Sequence, residues 1–433
     1  MQLAKVLNNR YFWVLCAMGA FAILSSTMSK TPVLNPFALS LGTPKDLTGV
    51  IAAASTIPGI LISLPAASLS DIFGRRKLLL FSTFVFASAP FLYLFVTIWW
   101  QLALVRFYHG FATAIFVPVA EATIAEQYPT KRGERISSFN SATYVGRGLA
   151  PFLGGFILSI TNNGSQTLHN FSTLYLAVGI SGVTSFVIAI LMLRESKTAT
   201  PEPSNKRLMT KNILHGWFEV ATNRGALVVT FVQAIQFYVY GVIEFYLVQY
   251  MQQVAGYNAL QLGIVMGVQI VSLIVSRPIM GRFSDKTSRR IPIILGCIIS
   301  GSLLFVVPFT TSFPLLLAIS IGYGLGFSMV ISSTAPLMCE LTPSNLIGTS
   351  MGFLSTMMDV GQTIGPIISG VILASILQYN GLFSSLTVLL AFSALLFLIS
   401  GKTKTENSRS RRTKQKNEVT SENLTLYARK GNG

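Results

Sequence analysis

Apolar positions along this chain gather into twelve runs separated by short polar intervals. They lie near residues 11–40, 47–69, 78–97, 100–127, 136–160, 172–193, 225–251, 258–281, 291–310, 313–340, 346–376 and 379–400. A hydrocarbon layer about 30 Å thick takes roughly 20 apolar residues per helical crossing. The pattern therefore predicts an all-α integral membrane protein with twelve transmembrane helices. The first run is too long for a leader peptide, follows a weakly basic segment and lacks a small-residue cleavage site, so it reads as a retained span. The polar stretch 195–223, with "TPEPSNKR" inside it, reads as a linker, and 402–433 as a basic, disordered tail.

The polar punctuation repeats. "SDIFGRRKLL" at 70–79 returns loosely as "SDKTSRRIPI" at 284–293. A shift of 214 carries Asp71 onto Asp285, Arg75 onto Arg289, Arg76 onto Arg290, Glu126 onto Glu340 and Gly110 onto Gly324. With one residue added, Gly146 meets Gly361 and Pro151 meets Pro366. The expected organisation is thus two pseudo-symmetric six-helix bundles, 1–194 and 224–401. Duplicated halves around a site near the midplane suit secondary transport, because two bundles can rock against each other.

Composition narrows the choice. Of the 433 residues 51% are hydrophobic and 11% charged, against roughly 25% charged in a soluble domain. The net charge of +17 does not indicate nucleic acid, because of where the bases sit. Of the 32 Lys and Arg, 27 fall in the N-terminus, the linker, the tail and alternate loops, and the opposite loops hold only Lys45. The positive-inside rule then places both termini and both Arg-Arg loops in the cytoplasm of a multi-pass cell-membrane protein. The tail run "RSRRTKQK" reads mainly as a retention signal, with anionic lipid as a second use. Cys16, Cys297 and Cys339 lie in apolar runs, and His109, His169 and His215 have no ligand spacing, so neither a disulfide framework nor a metal site is implied. "GYGLG" at 322–326 lies inside a span and reads as close helix packing rather than a phosphate loop. No cofactor and no enzymatic motif is evident. "NGS" at 163 and "NFS" at 170 are glycan-acceptor motifs in an outer loop.

The loop "ASLSDIFGRRK" resembles the Gly-x-x-x-Asp-Arg-x-Gly-Arg-Arg signature of the major facilitator superfamily, with Ala67 and Ile72 as departures. "GRFSDKTSRR" resembles its second-half copy, with Ser288 where Gly is expected. "RFYHG" at 106–110 is similar to the Arg-x-x-x-Gly signature of proton-coupled members, and "GRGLAPFLGG" at 146–155 to the fifth-span signature of exporters, with Ala150 replacing a Gly. The nearest kin this implies are twelve-span drug:proton antiporters. The resemblance implies a loop latch of Asp71, Arg75, Arg76, Asp285, Arg289 and Arg290, with Glu126 and Glu340 as partners.

Ionisable residues inside spans are costly and mark pathways. The acids so placed are Glu244, Asp359 and Glu121, in that order as proton-coupling candidates, since a coupling carboxyl needs both desolvation and a nearby cation. The embedded bases are Lys30, Arg106, Arg147 and Arg277. Lys30, Arg106, Thr113, Arg147, Gln233, Gln236 and Tyr240 are the expected substrate-cavity residues. The shift of 214 also carries Lys30 onto Glu244, which predicts a gate pair between the first and seventh spans. The leading functional expectation is proton-coupled efflux of small organic molecules by a protein working as a monomer in the lipid bilayer. Proton-coupled uptake of a nutrient or metabolite is the alternative, and a non-transporting receptor ranks last.

Overall fold

The computed structural model describes residues 2–62, 70, 73–128, 132–161, 168–193, 219–220, 222–343 and 346–399. Among them every regular element is helical. The first half holds α1 (Gln2–Met28), α2 (Leu34–Ser40), α3 (Thr48–Ala54), α4 (Arg75–Leu92), α5 (Trp99–Gln127), α6 (Arg132–Thr161) and α7 (Leu168–Met192). The second holds α8 (Arg224–Val242), α9 (Val248–Gln253), α10 (Ala259–Lys286), α11 (Arg290–Val306), α12 (Phe313–Leu341), α13 (Ile347–Ala374) and α14 (Gln378–Ile399). In hydrocarbon a backbone must satisfy its own hydrogen bonds, and helices do so within one segment.

Ten of the described helices are long and apolar enough to cross a membrane. The expected second span appears as the shorter apolar helix Thr48–Ile62, its continuation to 69 lying outside the described residues. The fifth is the continuous helix α6 of 30 residues, whose apolar character Arg147 and its glycines dilute. The first run, expected as one span over 11–40, is broken. α1 ends at Met28, a turn carries Lys30 and Pro32, and α2 begins at Leu34. Proline has no N–H to continue the ladder, and it disfavours helix in the residue before it. The seventh run is also interrupted, by a π turn over Ile243–Leu247 between α8 and α9.

Apolar packing divides the molecule along its length. One buried cluster draws on both halves, from Met28, Phe37 and Tyr175 to Tyr240, Tyr323 and Phe383. The cluster around Phe12, Leu79, Phe116 and Phe139 uses the first half alone, and that around Val229, Ile293, Val330 and Met338 the second alone. The shared cluster lies away from the Arg-Arg loops and the separate ones toward them. Among the described residues the two halves therefore share an apolar core at the far end, while toward the arginine end each half has a core of its own.

Small residues make the far contact possible. A Cβ on Gly49 would fall 2.0 Å from the Pro366 carbonyl oxygen, and one on Gly263 2.5 Å from that of Pro151. Within each half the approach is equally close, Gly110 over the Ser55 carbonyl at 2.3 Å and Gly324 over that of Gln269 at 2.4 Å. At the other end Gly74 opens α4 with φ of +93°, a backbone region that favours glycine. In the second loop Ser288, the counterpart of Gly74, is not among the residues of positive φ, so a serine fits where a glycine was expected.

Candidate functional site

A cavity of about 590 Å³ lies between the halves, within the size range of small-molecule sites. The far-end cluster closes it on one side. α5 supplies Arg106, Thr113 and Glu121, α6 supplies Arg147, α8 supplies Tyr240, and α13 supplies Asp359 and Gln362. Lys30 enters from the turn after α1 and Glu244 from the π turn. Of the residues expected from sequence, Gln233 and Gln236 are absent from this wall. Gln233 accepts a hydrogen bond from Thr334 at 2.7 Å, and Gln236 donates to Cys297 Sγ at 3.2 Å. Arg277 also turns elsewhere, its guanidinium 5.1 Å from the centre of the Tyr144 ring.

Glu244 is the most connected acid. It is 7% exposed, forms an ion pair with Lys30 across the two halves, and accepts from Tyr240 at 3.2 Å and from Gln362 at 3.2 Å. The sequence separation of the ion pair is 214, and Asn35 donates to Gln249 at 3.1 Å over the same separation. Thr48 and Tyr246 are 3.2 Å apart, and Thr56 and Thr363 2.6 Å. These contacts join the halves along the far side of the cavity. Glu121 accepts instead from Asn140 at 2.9 Å. Asp359 lays its carboxylate on Gly59, where a Cβ would meet Oδ2 at 2.8 Å.

The arginine end carries two matching networks. Arg75 Nε donates to Glu126 at 3.3 Å, and Arg289 Nε to Glu340 at 3.1 Å, each over 51 residues. Arg75 also bonds Ser70, and Arg289 bonds Ser284 and Asp285. Partial burial works against the Arg289 charge, but the hydrogen bonds it donates to Asp285 and Glu340 outweigh it and hold its pKa above the usual value. Asp71 lies outside the described residues, as do the linker 195–218 and the tail.

The description of the Major Facilitator Superfamily matches residues 14–359 and again 259–431. The chain belongs to that superfamily. Among its superfamily relatives, an MFS-type transporter of Methanocaldococcus jannaschii is 24% identical over 374 residues, covering 86% of this chain and 91% of that protein. The multi-drug resistance efflux pump PmrA of Streptococcus pneumoniae is 24% identical over 402 residues, covering 92% and 96%. The solved structure of the nucleoside transporter NupG superposes with a TM-score of 0.77 at 11% identity, covering 90% of this chain and all of that one. The protein is thus a multi-pass membrane transporter of the superfamily fold, acting on small molecules.

Sequence reasoning missed several cavity residues. Gln362 has no ionisable group to draw notice. Ser55 and Thr56 sit in a weakly polar stretch, and His109 had no partner in sequence. His109 is 3% exposed on the cavity wall, with Nδ1 3.3 Å from the Tyr93 hydroxyl.

Proposed function

We propose that this chain is a proton-coupled secondary transporter of small organic molecules, working by alternating access through twelve spans arranged as two related six-helix halves. The observation that carries the reading is Glu244. It is a buried carboxylate on the cavity wall whose counter-ion, Lys30, comes from the opposite half. Protonating Glu244 removes that attraction and frees the far end to open, while deprotonation draws the halves together. The same contact therefore joins proton binding to the exposure of the cavity. Positive charge concentrated on alternate loops supports a cytoplasmic arginine end and cytoplasmic termini, which makes this arrangement the inward-open one. The paired networks at Arg75 and Arg289 each tie helix ends together within one half, and so shape the surface with which that half closes the arginine end in the opposite state. The fifth-span motif supports export in exchange for protons, as does the name of the pneumococcal relative. Uptake with the proton is the second direction.

The test is gradient-driven accumulation in proteoliposomes containing purified protein. Glu244→Gln keeps the shape and loses the proton site. It is expected to abolish uphill transport while sparing downhill exchange, and uphill transport surviving in this variant transfers the role to Asp359 or Glu121.

A further inference from the structure

The deep end of the cavity holds two guanidinium groups that have no ion-pair partner among the described residues. Arg106 is 2% exposed and donates to the neutral Ser55 hydroxyl. Arg147 faces the Tyr240 hydroxyl, which it shares with Glu244. Neither arginine forms an ion pair among the described residues, and the Nε of each is buried without a hydrogen-bond partner. Both lie within electrostatic reach of Lys30.

The acids on the wall are held elsewhere. Glu244 is taken by Lys30 and Glu121 by Asn140. Glu121 is also fifteen residues along α5 from Arg106, ~22 Å at 1.5 Å per residue. Asp359 lies against Gly59 on the opposite wall. A buried cation without a partner is costly, and a planar guanidinium presents paired donors that match an oxyanion.

We propose that the substrate is a small organic oxyanion, bearing a carboxylate or phosphate group, seated between Arg106 and Arg147 and carried in the same direction as the proton. This rests on the proton-coupled transport reading above, adds the substrate's charge, and takes the second of its two directions, uptake with the proton. Glu244 faces Lys30, Tyr240 and Gln362 through hydrogen bonds, Tyr323 through space, and Arg147 across the Tyr240 hydroxyl. An oxyanion at the arginines repels the Glu244 carboxylate and competes for Lys30. Bound anion and proton on Glu244 therefore favour each other, and linkage makes the effect reciprocal. Ligands that bind together travel together, whereas ligands that compete are exchanged. The cavity thus favours uptake under an inward proton gradient over export by exchange.

Benzoate, benzamide and benzamidine share a ring and differ in charge, and they serve as probes. Each is titrated by calorimetry into the purified full-length protein in nanodiscs, in two buffers of different ionisation enthalpy so that proton uptake is read directly. Benzoate is expected to bind at least about tenfold tighter than the other two, as one charge-assisted bond warrants, and to take up a proton. Arg147→Gln should lose that preference, and Arg147→Lys, which keeps the charge, should recover part of it. Glu244→Gln should bind benzoate with no proton uptake. No preference for benzoate, tighter benzamidine, proton release on benzoate binding, or an unchanged affinity in Arg147→Gln overturns the proposal while leaving proton coupling standing. Conversely, preferred benzoate with uphill transport intact in Glu244→Gln overturns the coupling role of Glu244 and leaves the anion site standing.

Discussion

Gly155 on α6 and Gly263 on α10 meet with no side chain between them. A Cβ on Gly155 would lie 2.8 Å from the Gly263 Cα, and one on Gly263 2.9 Å from the Gly155 Cα. These backbones belong to opposite halves, so the far end closes only as tightly as two bare backbones allow. Gly155→Val is expected to hold that end open. A cysteine placed at Thr48, which is fully buried, in a background lacking Cys339, should then label about tenfold faster or more. Unchanged labelling in a folded variant would show that α6 and α10 do not limit closure.

Tyr246 gives a gentler version of the same experiment. Its hydroxyl lies 3.2 Å from Thr48 Oγ1 and donates to the Pro366 carbonyl at 3.0 Å. Tyr246→Phe removes the hydroxyl and keeps the ring, at a cost of about 1–3 kcal/mol to the closed far end. Outward opening, followed as the distance between spin labels on α2 and α9, should rise about 5- to 150-fold in population. An unaltered distance distribution would make the hydroxyl irrelevant to gating.

Lys30 and Glu244 can be exchanged. Losing one partner of a buried ion pair costs about 3–5 kcal/mol, so Lys30→Glu and Glu244→Lys should each open the far end strongly. The double variant restores an attractive pair with reversed polarity. It should recover part of the closure by the same cysteine assay. A double variant as open as the two single losses combined would separate Glu244 from Lys30.

The latch depends on a fork. Arg289 donates through Nε to Glu340 and through Nη1 to Asp285, and lysine has no planar fork to serve both. Arg289→Lys, and Asp285→Asn with its sequence counterpart Asp71→Asn, should slow transport several-fold while insertion and thermal stability change little. Full-speed transport in these variants would reduce the arginine loops to topology signals.

The helical fold and the superfamily are legible in the sequence because both are written in long-range regularities, the apolar runs and the shifted loop signatures. The meeting of Lys30 and Glu244 is legible for the same reason, since the 214-residue shift carries one onto the other. What remains hidden depends on rotation and depth. Gln236, one turn before Tyr240 on α8, spends its amide on Cys297 of α11 instead of the cavity. Gln233 lies on the expected side, but it is eleven residues from Glu244, ~16 Å along the helix, where Thr334 covers it. The break in the first run is marked by Pro32 yet masked by the apolar residues around it. The π turn has no marker in composition.

That π turn sets the phase of the seam between the halves. Glu244 and Gln249 are five residues apart, as are their partners Lys30 and Asn35. On an uninterrupted α-helix, at 3.6 residues per turn, residues five apart point about 140° away from each other. Only one of the two could then look across the seam. A π turn closes its rings from i to i+5, which brings both side chains round to the same side. The extra residue works as a vernier: five-residue teeth on one edge mesh with five-residue teeth on the other. Relaxing the turn to α geometry would carry Gln249 out of register with Asn35 while leaving Glu244 in place, so the seam has a built-in point from which to part.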